Sequence, residues 1–192
     1  MERCQKAEEL FAVIFQDEFL TEMFRPYFEV FEREHQTRIL DYGCGYGWGS
    51  AYLSKDSKQV LGYDVDQKRI QCAKEIYMQT EKLEFTYDWK EVESFRDEFD
   101  TVVMSHVLSE TSDTEWMAKQ VLSVLKEDGR LYLAGKYRYI QQMERLVERI
   151  DRLSKIEWEQ RTTLPLKGQE GICFMELRIG KAEKCIKHLL YI

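Results

Sequence analysis

No apolar run in this 192-residue chain approaches the ~18 residues that a membrane helix requires. Its start, MERCQKAEELFAVIF, is charged and then amphipathic, without the layout of a signal peptide. The expectation is a cytoplasmic protein with no membrane partner. The five cysteines include no C-x-x-C pair, and Cys44 and Cys72 fall inside segments with an α/β pattern. That spacing predicts reduced thiols and argues against a disulfide framework or a zinc site, so no metal is expected. Excess positive charge is missing too. The formal net charge is −7, which disfavours a global grip on nucleic acid, because phosphate neutralisation needs clustered Lys and Arg. Residues 136–152, KYRYIQQMERLVERIDR, carry some local positive charge, but acids interrupt it. Repeats and low-complexity tracts are absent.

The composition (44% apolar, 33% charged) suits one soluble domain with a proper core and a small helical extension. Residues 1–34 hold no glycine. Leu10, Phe11, Ile14, Phe15, Phe19, Met23 and Phe24 recur at three- and four-residue spacings, which predicts an N-terminal helical cap over 1–35 with a bend near Pro26. Phe24, Tyr27, Phe28 and Phe31 exceed what a narrow packing stripe uses, so an aromatic lid is a second reading beside plain packing. From residue 36 to 192, short apolar runs alternate with helical stretches. TRILDY, KQVLGYDV, KLEFTYD, FDTVVMSHVL and GRLYLAGKY read as strands, the last after the helix stop EDG. KIEWEQRTTL and GICFMELRIG, joined across PLKGQE, read as an antiparallel hairpin. The fold class is therefore α/β: a mostly parallel sheet with helices on both faces and ligands at the carboxyl ends of its strands.

Four of the ten glycines occupy alternate positions in DYGCGYGWGS, at 43, 45, 47 and 49, where the first strand ends. Glycine there lets the backbone turn tightly and bring N–H groups against a ligand. The pattern is G-x-G-x-G with an acid, Asp41, two residues ahead. The nicotinamide pattern G-x-G-x-x-G fails at Trp48, and no Gly-Lys-Ser/Thr of a P-loop occurs. Asp64 ends the second strand, where a carboxylate can accept both hydroxyls of a ribose. Asp88 ends the third, beside Trp89, where an acceptor for an adenine amino group and an aromatic cover can meet. Helix capping is the ordinary alternative for such an Asp.

These residues resemble the class I S-adenosylmethionine-dependent methyltransferases. ILDYGCGYG looks like their first motif, VLGYDVD their second, FTYDW their adenine-side motif and FDTVVMSHVL their fourth-strand motif. The resemblance covers residues 36–180, with the motifs in the family's order. It implies a Rossmann-like seven-stranded sheet with an antiparallel C-terminal hairpin, and S-adenosyl-L-methionine as cofactor. Carried onto this chain, it implies that Gly43, Gly45 and Gly47, with Cys44 and Tyr46 between them, line the methionine part. Asp41 would support the loop and the amino group. Asp64 and the adjoining Val65 would hold the ribose side, Asp88 and Trp89 the adenine, and Ser105 would lie beside the sulfonium.

Methyl transfer is an in-line displacement that relies on positioning and exclusion of water, with a base only where the acceptor arrives protonated. His106, just past the fourth strand, is the candidate catalytic residue. Simple hydrogen bonding to cofactor or backbone is its alternative role. Glu110 reads as a cap or a solvent-exposed acid. HVLSE is not the Asn/Asp-Pro-Pro-Tyr of amino-methylating enzymes, and no Pro-Cys follows the fourth strand. The expected acceptor is a small molecule ahead of a protein, with nucleic acid disfavoured. Almost nothing is inserted after the fourth or fifth strand, so the N-terminal helices would have to cover the site, or it stays open to a large partner. The competing readings are a non-catalytic methyltransferase-fold binding or regulatory subunit and, more remotely, a nicotinamide oxidoreductase.

Overall fold

The computed structural model describes residues 18–166 and 169–180. The N-terminal periodicity over 1–17 lies outside the described residues. The chain begins with α1 (Glu18–Phe31) and β1 (Arg38–Tyr42), then α2 (Trp48–Leu53), β2 (Gln59–Tyr63) and α3 (Gln67–Ile76). It continues through β3 (Leu83–Thr86), α4 (Trp89–Glu93), β4 (Phe99–Ser105), α5 (Thr114–Val124) and β5 (Leu125–Lys136). A three-residue 3₁₀ turn (Tyr137–Tyr139) leads to α6 (Ile140–Leu153), β6 (Ile156–Leu166) and β7 (Gln169–Ile179).

The seven strands form one sheet in the order β3-β2-β1-β4-β5-β7-β6. The first five are parallel, and β7 runs antiparallel between β5 and β6. The α/β class, the mixed sheet and the terminal hairpin are as the sequence predicts. Strand order reverses between β1 and β4, so the crevice above those two strands is the expected ligand position. Central strands such as β1 are buried along nearly their whole length, because helices cover both faces. Ile39, Val60, Val103 and Phe174 pack under α1–α3 with Phe24, Tyr27, Val30, Leu53 and Ile70. Leu40, Val102, Leu131 and Met175 pack under α4–α6 with Val92, Met117, Val121, Met143, Leu146 and Ile150.

Pro26 sits inside α1, which continues past it. Two details differ from the sequence reading. α5 ends at Val124, before EDG, and β5 starts at once. Its pairing with β4 jumps from Phe99–Leu125 to Thr101–Arg130, so residues 126–129 loop out of the ladder, with Asp128 at φ 63°. Finally, Cys44 and Cys173 are buried free thiols, but Cys72 is disulfide-bonded. The reduced-thiol expectation rested on spacing alone, which cannot tell which cysteines the fold brings together.

Candidate functional site

The glycine loop joins β1 to α2 at the switch point. Gly43, Gly45 and Gly47 all have left-handed backbone, with φ of 82°, 58° and 80°. The amides of Gly43 and Cys44 both donate to the Tyr63 carbonyl, at 2.7 and 2.9 Å, and Gly47 N–H donates to the Cys44 carbonyl. These bonds tie the loop to the end of β2. The four glycines nevertheless have different reasons to lack a side chain. A Cβ at 43 would strike Val107 at 2.4 Å, one at 47 the Phe85 ring at 2.5 Å, and one at 49 the Tyr27 ring at 2.1 Å. Only at Gly45 would it meet nothing within 4 Å. Three glycines make room for the protein's own side chains, and Gly45 faces open space beside Asp64.

Asp64 is nearly buried, and both its oxygens are engaged. Oδ2 accepts the Gly45 amide at 2.9 Å and Oδ1 the Asp66 amide at 2.9 Å. Arg69 approaches Oδ2 to 4.0 Å, also pairs with Asp66, and lies over the Tyr46 ring. Tyr46 in turn stacks on Trp48. Asp41 is wholly buried. It accepts the Ser50 hydroxyl at 2.6 Å on Oδ2 and the Tyr27 hydroxyl at 3.1 Å on Oδ1. Burial raises its pKa to about 6, against the opposing pull of the Ser50 and Tyr27 hydrogen bonds. Burial, reinforced by the nearby Asp41 and Asp64 charges, pushes the Cys44 thiol well above its ordinary range. Cys44 is therefore a neutral, packed residue at pH 7 and no nucleophile.

The remaining expected residues line the same edge of the sheet. Asp88 is exposed and caps α4, accepting the Lys90 amide at 2.9 Å. Trp89 packs edge-on against Tyr63, at 5.2 Å between centroids, and lies 5.9 Å from Tyr42. Its ring is thus half-buried against the core, and the most exposed apolar side chains after β2 and β3 are Val65 (75% exposed) and Tyr87. Ser105 ends β4 with a buried hydroxyl near that of Tyr27, without a hydrogen bond of full geometry. His106 follows with φ 58°, its side chain exposed and its amide bonded to the Ala134 carbonyl at 2.7 Å. Asp41, Gly43–Gly47, Asp64, Val65, Asp88, Ser105 and His106 therefore all lie at, or just past, the carboxyl ends of β1–β4.

Sequence reasoning missed Tyr27, Ser50 and Arg69 as parts of this site. The excess of aromatics around Tyr27 was the available signal, but it pointed to a lid, not to a hydroxyl on Asp41. A groove of about 600 Å³ between α6 and β6, lined by Glu144, Glu148, Asp151 and Glu159 among others, involves none of the expected residues.

A family model described as a methyltransferase domain matches residues 40–133. Those residues are a class I S-adenosylmethionine-dependent methyltransferase domain. The match runs from β1 through β5 and so contains the glycine loop and all three strand-end acids. Ubiquinone biosynthesis O-methyltransferase of Pelagibacter ubique is 27% identical over 99 residues, 50% of this chain and 41% of that protein. The chain thus spans about two-fifths of the curated relative that it matches. Among solved structures, the N-methyltransferase NodS of Bradyrhizobium japonicum gives a TM-score of 0.68 at 16% identity, covering 86% of this chain and 98% of that one. Its complex with S-adenosyl-L-homocysteine gives 0.66, at 13% identity and with coverage of 86% and 89%. The [4+2]-cyclase SpnF shares the fold as well, with a TM-score of 0.65 at 17% identity, covering 82% of this chain and 81% of that one.

Proposed function

We propose that this protein uses S-adenosyl-L-methionine to methylate a small-molecule acceptor. The observation that carries the reading is the open face of Gly45, with its left-handed backbone next to the Asp64 carboxylate and above the switch point. A side chain at 45 would stand where a ligand has to touch main chain. Buried Asp41 adds negative charge with no cation paired to it among the described residues, which suits a ligand carrying positive charge and no phosphate.

When bound, the cofactor supplies a methyl group activated by a sulfonium. Gly43–Gly47 would hold the methionyl part against main chain, with Asp41 behind it. Asp64 would accept the ribose hydroxyls, trading its Gly45 and Asp66 contacts for them in part. Asp88 keeps one oxygen for the Lys90 amide and would offer the other to the adenine amino group. Val65 would cover one side of the base. His106, exposed beside Ser105, would take the proton of an acceptor that arrives protonated. α1 excludes water from the loop's inner side. Eight residues separate β4 from α5, and β5 passes directly into the 3₁₀ turn, so the acceptor side has no inserted lid. The relatives' names, an O-methyltransferase of ubiquinone biosynthesis and an N-methyltransferase, favour a small acceptor. The reading places the reaction in the cytoplasm; no helix among the described residues is long and apolar enough to cross a membrane.

The second reading, a domain that binds the cofactor without transferring its methyl group, draws on the SpnF likeness, because a protein of this fold is named a cyclase. Thermal unfolding with and without S-adenosyl-L-homocysteine tests the site, with NADH as control. Ligand at ~100 times its Kd adds about 2.7 kcal/mol. Asp64→Ala is expected to weaken binding by about 1.5–3 kcal/mol through lost charge-assisted hydrogen bonds. No shift in a folded protein would remove the cofactor site. A shift without labelled-methyl transfer to any of a panel of acceptors would favour the second reading.

A further inference from the structure

Tyr27 belongs to α1, outside the segment that carries the methyltransferase motifs, yet its side chain ends inside the glycine loop. The side chain is buried among Phe24, the first turn of α2 and β1. Its ring lies so close to residue 49 that a Cβ there would stand 2.1 Å from it. The fourth glycine of the run is therefore explained by Tyr27 and not by a ligand. The hydroxyl then reaches Asp41 Oδ1 at 3.1 Å, while Ser50 takes Oδ2 at 2.6 Å. Both donors are uncharged, so Asp41 is satisfied in hydrogen bonds but keeps its charge.

We infer that Tyr27 is a positioning residue of the cofactor site: from α1, its hydroxyl holds the Asp41 carboxylate ionised and oriented behind the glycine loop. This rests on the cofactor reading above, and it makes the seating of α1 a condition for the charge of the site. A Phe ring would keep the contact of α1 with Gly49, so the hydroxyl is kept for its polar neighbours, Asp41 at 3.1 Å and the nearby Ser105.

The groups that face Asp41 are few. Tyr27 comes from α1, Cys44 from the loop and Asp64 from the end of β2; Ser50 on α2 does not titrate. Burial, and next the Asp41 charge, hold the Tyr27 phenol well above its ordinary range, and the Cys44 thiol is raised for the same reasons. Both stay neutral at pH 7. Asp41 itself, raised to about 6 mainly by burial, ionises just below neutrality. A carboxyl whose folded pKa is raised favours the folded state at low pH, and that contribution is lost as pH rises from about 4 through about 6. Binding of the ammonium group at the cofactor's amino-acid end has the opposite sign, because it is favoured by the ionised form. Affinity is therefore expected to rise with pH through about 6. Without the Tyr27 hydroxyl, one of the hydrogen bonds that favour the ionised form is lost, and both transitions move up.

The test is Tyr27→Phe, which keeps the ring against Gly49. In the cofactor-free protein, the Asp41 carboxyl carbon followed by NMR is expected to titrate roughly one pH unit higher than in the wild type, with Ser50→Ala moving it the same way. Calorimetry with S-adenosyl-L-homocysteine is expected to show several-fold weaker binding at pH 6–7, converging on the wild type at pH 8.5. An unshifted titration, or an equal loss of affinity at every pH, would overturn the inference and leave Tyr27 a packing residue. If the wild type fails to bind S-adenosyl-L-homocysteine at all, the cofactor reading fails. The NMR arm still decides whether Tyr27 sets the state of Asp41.

Discussion

Two pairs of buried carboxylates lie along the same sheet, one beside β5 and β7 and one at the glycine loop, and they are treated differently. In the first, Glu34 and Glu176 share the Tyr132 hydroxyl, at 2.8 and 3.3 Å. Each also has its own guanidinium, Arg130 on Glu34 at 2.8 Å and Arg33 on Glu176 at 3.0 Å. At the loop, Asp41 accepts the Tyr27 and Ser50 hydroxyls, and Asp64 accepts backbone amides with Arg69 no nearer than 4.0 Å. A buried charge kept for architecture is paired off, because an uncompensated one is costly. A buried charge left with neutral donors is costly unless a ligand brings the compensation, and perturbed groups such as Asp41 gather at functional sites. The Glu34–Glu176 cluster staples the segment after α1 to β5 and β7, and the loop pair waits for a partner.

The largest expected effect comes from closing the open end. Gly45→Val places a side chain in the space beside Asp64 and on left-handed backbone that costs roughly 1–2 kcal/mol for an L-residue. It is expected to fold and to lose at least about 100-fold in affinity for S-adenosyl-L-homocysteine, about 3 kcal/mol by calorimetry. Near-normal binding by the folded variant would erase the contrast between the two pairs. The mirror-image change is Arg130→Ala, which strands Glu34 with Tyr132 alone. Breaking a buried pair costs about 3–5 kcal/mol, but Arg130 is half exposed, so a loss of about 2 kcal/mol in urea unfolding is expected. Cofactor affinity should not change. A drop in affinity without a drop in stability would show that the Glu34–Glu176 cluster is not merely architectural.

How much of this could be read in the sequence depended on the range of the interaction. Strands β1, β2 and β4 were legible because parallel strands buried on both faces read as short apolar runs between helical spacings. The hairpin showed itself in two strand-like runs around PLKGQE. The glycine loop was placed correctly, but the reasons for its glycines were not. What a missing Cβ would strike (Val107, Phe85, Tyr27) is decided by residues that lie 22 to 64 positions away. Tyr27 looked like one more packing aromatic because its hydroxyl matters only once α1 crosses the loop. Trp89 is the converse case: adjacency to Asp88 suggested a ring over a ligand, and Tyr42 and Tyr63 claim it for the core. The start of β5 escaped because EDG reads as a helix stop, while the chain had already left the helix at Val124 and needed Asp128 and Gly129 for the excursion before Arg130.

Asp88 gives the smallest effect and the finest distinction, since it stands between the two kinds of carboxylate. It is exposed, it caps α4 through the Lys90 amide, and its second oxygen is the proposed acceptor for an adenine amino group. Asp88→Ala would confuse these roles, because loss of the cap alone costs about 1 kcal/mol. Asp88→Asn separates them. Asparagine caps helices as well as aspartate, so unfolding should stay within about 0.5 kcal/mol of the wild type. Its single oxygen is then spent on Lys90, and its NH₂ faces the ligand, where it meets another donor. A three- to ten-fold loss of S-adenosyl-L-homocysteine affinity, roughly 1 kcal/mol, with unchanged stability would assign Asp88 to the ligand. Unchanged affinity and stability together would make it a helix cap and nothing more, and would move the recognition of adenine to Val65, Tyr87 and the backbone between them.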